Sequence, residues 1–127
     1  MINKVTIFDW DTHYTGYYSD NHTVAHFTGR AGKGTPYLMF GGFGNGMIGK
    51  SINVQCDNQN IGFSSRAFTV TLLHAGDYST IYDLDGSNLG ETQYGLLVAD
   101  YVFPAGTYNF TFTYGFQVYK IKVIKEF

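Results

Sequence analysis

The chain has 127 residues, with eight Lys and Arg against ten Asp and Glu, a formal charge of −2. Basic residues this few and this scattered argue against a nucleic-acid surface, whose affinity is built from many phosphate contacts. No apolar run approaches the ~18 residues of a membrane span, and the single cysteine, Cys56, leaves neither an intramolecular disulfide nor a multi-cysteine zinc site.

Eleven Tyr, eleven Phe and sixteen Gly, with charged residues at only 14%, favour pleated half-buried surfaces joined by glycine turns over helices. In chain order, Val5–Phe8 reads as a first strand. Residues 15–35 are polar and Gly-containing, and read as long loops or a short strand pair. Tyr37–Phe40 is a further apolar strand. Ser51–Cys56 alternates with period two, placing Ile52, Val54 and Cys56 on one face and Ser51, Asn53 and Gln55 on the other. Phe68–Leu73 and Ala99–Phe103 are more continuously apolar strands. Tyr108–Thr113 turns three aromatics inward. Tyr119–Val123 alternates again, with Lys120 and Lys122 facing solvent, a pattern that blunts an exposed sheet edge. Turn signals stand at Asp57–Asn60, Asp85–Asn88 and Pro104–Gly106. About seven to nine short strands so punctuated predict an all-β chain, residues 1–127 forming a single antiparallel β-sandwich domain.

Few motifs carry chemistry. Gly44–Ser51 satisfies the G-x-x-x-x-G-K-[ST] pattern of a phosphate-binding loop, which requires a helix immediately after it; here a strand pattern follows, so the stretch reads as a glycine-rich loop between strands. His22 and His26 are four apart without a helix to align them, and no zinc spacing occurs. There is no nucleophile elbow and no carboxylate pair set up for hydrolysis, so the chain is not expected to be an enzyme. Two Asp-x-Asp pairs, Asp9 with Asp11 and Asp83 with Asp85, could supply oxygen ligands; calcium is the one cofactor the sequence admits, with a hairpin turn as the plain reading of the second pair. Cys56 follows the apolar phase of its strand and reads as a small buried hydrophobe.

Aromatics outside the core phase are the stronger signal. Tyr114-Gly115-Phe116-Gln117 lies between two clear strands, and predicts a hairpin tip carrying two rings and an amide. Phe43 sits in a glycine-rich loop, Trp10 and Tyr17 near the first loop, and Tyr78 in the middle of the chain. Exposed rings can stack on the C–H face of a sugar while Asn, Gln and Asp bond its hydroxyls.

The C-terminal half, through Phe68–Leu73, Ile81–Gly90, Val102–Phe112 and Tyr114–Val123, resembles jelly-roll carbohydrate-binding modules over about 60 residues, with their D-G…L-G hairpin, P-A-G-T-Y turn and closing strand. The P-A-G-T-Y turn is also similar to that of prealbumin-like stalk domains in surface adhesins. Gly44–Val54 more weakly resembles the end of a Greek-key motif in βγ-crystallin-like calcium-binding domains. The first resemblance implies a jelly-roll sandwich that binds a glycan or polysaccharide through the loop before the last strand: Tyr114, Phe116 and Gln117, although no Trp stands there. The expected function is a non-catalytic, lectin-like carbohydrate-binding module. The alternative is a structural or adhesive module such as a phage fibre tip, surface stalk or oligomerisation domain. The opening Met-Ile-Asn-Lys-Val-Thr lacks an apolar stretch and cleavage site, so no signal peptide is expected there, and the reading places the chain extracellularly or on a surface within a larger protein or particle, with the cytoplasm left open.

Overall fold

The computed structural model describes residues 4–8, 13–31, 37–41, 45–61, 63–72, 94–98 and 104–127. Ten strands fill most of these: β1 Lys4–Phe8, β2 His13–Ser19, β3 Val24–Ala31, β4 Tyr37–Gly41, β5 Ser51–Cys56, β6 Ser65–Thr69, β7 Thr71–Leu72, β8 Tyr94–Val98, β9 Gly106–Tyr114 and β10 Gln117–Lys125. Single 3₁₀ turns at Asn45–Met47 and Gln59–Ile61 are the helical segments among the described residues. The strands form two sheets, of four in the order β1-β4-β8-β7 and of six in the order β2-β3-β10-β9-β5-β6.

Alternation fixes which face of the larger sheet is buried. In β5 exposed and buried residues alternate without a break, burying Ile52, Val54 and Cys56. In β9 Tyr108, Phe110 and Phe112 point inward, and in β10 Ile121 and Val123 do. The smaller sheet covers this face through Phe40, whose ring meets Phe110 at 4.9 Å and Phe112 at 4.7 Å, both edge-on. Rings so inclined place a positive edge against a negative face. The Tyr108 hydroxyl, which burial would leave costly, donates to the Pro104 carbonyl at 2.7 Å; burial also pushes its pKa up.

The antiparallel expectation requires correction. β10 pairs antiparallel with β9 on one side but parallel with β3 on the other, with Val123 opposite Ala25, so the six-stranded sheet is mixed. A parallel pair cannot be closed by a hairpin and needs a long connection; here residues 32–116 separate the two strands. A second correction follows. Lys120 and Lys122 are exposed, yet β10 lies inside the sheet, so these lysines mark its solvent face rather than an edge. The edges of that sheet are β2 and β6.

Phe68–Leu73, expected as one strand, divides at the fully buried Val70. β6 before it belongs to the larger sheet and β7 after it to the smaller, so the chain changes sheets at that residue. Ala99–Phe103 lies outside the described residues.

The irregular 15–35 stretch resolves into the strand pair β2 and β3. Their connection places Asp20, Asn21 and His22 at φ of 51°, 56° and 65°. Three consecutive non-glycine residues in the left-handed region are uncommon, and Asp, Asn and His are the types that tolerate it best. Thr23 closes the turn, donating to the Asp20 carbonyl from its amide at 3.2 Å and its hydroxyl at 2.6 Å, and the His22 ring stacks on Tyr18 with centroids 4.4 Å apart.

The Gly44–Ser51 pattern is used for sheet formation. The Gly49 amide donates to the Val70 carbonyl at 2.9 Å, Val70 donates back to Lys50 at 2.9 Å, and Ser51 opens β5. The Gly49 amide is thus spent on Val70 and the Lys50 amide on the Met47 carbonyl at 3.0 Å, and a strand rather than a helix follows.

Candidate functional site

The β9–β10 hairpin turns where the sequence places it. Tyr114 pairs with Gln117, leaving Gly115 and Phe116 as a two-residue loop. Gly115 has φ of 59° while Phe116 is not in the left-handed region, as expected of a type II′ turn with glycine first. Along the inward face of this hairpin, burial runs out towards the tip. Tyr108, Phe110 and Phe112 are buried, Tyr114 and Tyr119 are half-buried, and Gln117 is exposed. Phe116 at the loop is wholly exposed at 106%, and Val118, on the opposite face, is 53% exposed. The Tyr119 hydroxyl donates to Gln117 Oε1 at 2.9 Å. That bond engages the amide oxygen and leaves the N–H donors of the exposed Gln117 free of it, on the strand position paired with Tyr114.

Tyr17, the remaining described site candidate, does not join this cluster. It stands opposite His26 on β3, which stands opposite Ile124 on β10. Ile124 is seven residues from Gln117, a separation of about 23 Å along an extended strand. Trp10, Phe43, Tyr78 and the acidic pairs Asp9, Asp11, Asp83 and Asp85 lie outside the described residues. Among the described residues no group of three His, Cys, Asp or Glu side chains is placed to hold a metal.

The solvent face of the larger sheet carries a further polar feature. A shallow depression of about 350 Å³ is lined by Gln55, Cys56, Asp57, Ser64, Asn109 and Thr111. Asp57 accepts from the Asn109 amide at 2.9 Å and from its Nδ2 at 2.7 Å. These donors, the backbone one first, hold the Asp57 carboxyl below its ordinary value of 3.8, with Lys122 adding to the effect. A depressed carboxyl stabilises the fold above its unfolded pKa, and that contribution disappears as pH falls through the lowered folded value. Unfolding followed across pH 2–7 should therefore show Asp57→Asn less stable than wild type at neutral pH, with the difference closing below about pH 4. An unchanged acid profile would remove this role from Asp57. Beneath the depression, Cys56 is buried as its strand phase predicts, and burial raises its thiol pKa.

Sequence reasoning missed Tyr119 as part of the tip, because its phase assigned it to the core. It also missed the carboxylate–amide pair of Asp57 and Asn109, which are 52 residues apart. Comparison with known proteins gave no match to a family model, to a curated protein or to a solved structure.

Proposed function

We propose that the protein is a non-catalytic carbohydrate-binding module of jelly-roll character whose contact surface is the β9–β10 hairpin tip. The observation that carries the reading is the Tyr119–Gln117 hydrogen bond of 2.9 Å on the same hairpin as the fully exposed Phe116. Stacking ring faces and an amide with a set orientation are what a sugar needs: an apolar platform for its C–H face and a donor for its hydroxyls. The tip is exposed rather than enclosed, so a single site covers little of its ligand and binds weakly.

The test is a glycan array followed by titration of the best ligand, with and without EDTA so that any calcium dependence is read directly. Phe116→Ala should weaken binding at least about tenfold while leaving the melting temperature unchanged, because the ring touches only solvent and its loss leaves no cavity. Tyr119→Phe should weaken it less, by releasing the amide. Absence of binding to plant, animal and bacterial glycans would reject the proposal.

One observation favours a second reading. Phe116 and Val118 expose apolar surface on a single hairpin, which suits a protein contact in a structural or adhesive module of a larger surface assembly. Light scattering separates the two readings: the glycan reading expects a monomer, the structural reading an oligomer that Phe116→Ala dissociates.

A further inference from the structure

Away from the tip, three side chains that no glycan contact uses form one hydrogen-bonded chain. The Tyr17 hydroxyl lies 2.9 Å from Nδ1 of His26, and Nε2 of His26 lies 2.8 Å from Oε1 of Glu126. An ionised carboxylate can only accept, so in the neutral ring Nε2 is the donor and Nδ1 is left to accept from the phenol. The order is hydroxyl, base, orienting carboxylate, the arrangement by which proteins raise the reactivity of a weak oxygen nucleophile.

The backbone holds this chain in place by several means. Thr15 pairs with Gly29 but Gly16 pairs with Phe27, so Thr28 is an extra residue and β3 bulges immediately beside the pair. Bulges re-aim neighbouring side chains and are frequent next to functional sites. Gly16 brings the two backbones so close that a Cβ on it would lie 2.0 Å from the His26 carbonyl oxygen. The Glu126 amide donates to the Phe27 carbonyl at 3.0 Å, fixing the carboxylate one residue past β10. The imidazole side chain is only 20% exposed, while the Tyr17 residue is 51% exposed and open to a reagent.

The geometry points to Tyr17 as a base-assisted phenol that takes an acyl group from an activated ester. The Tyr17 oxygen attacks the ester carbonyl carbon, and its proton passes to Nδ1 of His26. The imidazolium so formed is stabilised by the Glu126 carboxylate. Collapse of the tetrahedral adduct breaks the bond to the leaving oxygen, which departs as an anion. His26 then returns its proton to solvent, and Tyr17 remains as the O-acyl ester. Lys122, on the same face of β10, stands opposite Val24 rather than opposite His26.

The experiment is brief exposure of the folded protein to p-nitrophenyl acetate, with release of nitrophenolate timed and acetylated tyrosines located by mass spectrometry. Tyr17 should acetylate ahead of the other ten tyrosines, and at least about tenfold faster than in His26→Gln, general-base assistance commonly contributing about 10²–10⁴-fold. Glu126→Gln keeps an acceptor for Nε2–H but removes the charge. It should slow Tyr17 alone, several-fold, with unfolding midpoint and β-sheet circular dichroism retained, which a purely structural Glu126 would not produce. Should His26→Gln fail to fold, Glu126→Gln decides the matter. Acetylation of Tyr17 at the rate of its exposed neighbours, or at the same rate in the folded variants, overturns the proposal.

Discussion

Phe110→Ala is expected to cost about 3–5 kcal/mol, a large part of the ~5–15 kcal/mol that a domain commonly has. Phe110 is 1% exposed and lies at the centre of β9, flanked on its own strand by Tyr108 and Phe112 and covered from the other sheet by Phe40. Its removal leaves a void that the stiff backbones of two paired strands cannot close, since Phe110 faces Ile121 on one side and Cys56 on the other. The cavity term therefore adds to the lost transfer energy. Urea unfolding should show a lower midpoint with an unaltered slope. Phe40→Ala should cost a similar amount, and the double variant less than the sum, because the two rings touch. A loss below about 1 kcal/mol for either would mean that the two sheets do not share this cluster.

That cluster was legible in the chain, and the reason is geometric. Tyr108, Phe110 and Phe112 occupy alternate positions with Asn and Thr between them, and a one-sided sheet admits only one phase for such a pattern. The same logic placed β5, β10 and the glycine-led hairpin tip. Pairing across long separations leaves no local mark. Val24-Ala25-His26-Phe27 has its buried positions filled by a small Ala and a Phe, and its outward positions by Val and His, so the contrast that reveals a half-buried strand is absent. β3 was therefore readable only as half of a short strand pair, one of two readings of residues 15–35, and its parallel pairing with β10 was not readable. His26 and Glu126 are 100 residues apart and meet only because that parallel pair exists. Lys120 and Lys122 illustrate the converse error. A lysine facing solvent looks the same in sequence whether its strand is at an edge or merely has one wet face.

Gly16→Ala should be the most damaging single-methyl change, about 3 kcal/mol, at the top of the overpacking range. The new Cβ would sit 2.0 Å from the His26 carbonyl oxygen, 3.0 Å from its carbon and 3.1 Å from the Phe27 Cα. All three are backbone atoms, so no side-chain rotation relieves the clash, and β2 must move off β3. β2 is an edge strand, held on one side alone, and it can detach while the five strands beyond it stay paired. The damage is then local: hydrogen exchange should quicken for amides of residues 13–19, while β9 amides from Asn109 to Thr113 keep their protection. Detachment also separates Tyr17 from His26, so Tyr17 should lose its expected acylation advantage in this variant. Gly46→Ala is the matched control, because a Cβ there meets no atom within 4 Å, and it should change stability by no more than about 0.5 kcal/mol. Equal effects at the two glycines would show that backbone contact at Gly16 is not what the β2–β3 pairing depends on. A loss confined to Gly16 would tie the bulge, the strand pairing and the phenol–imidazole contact to one residue that has no side chain.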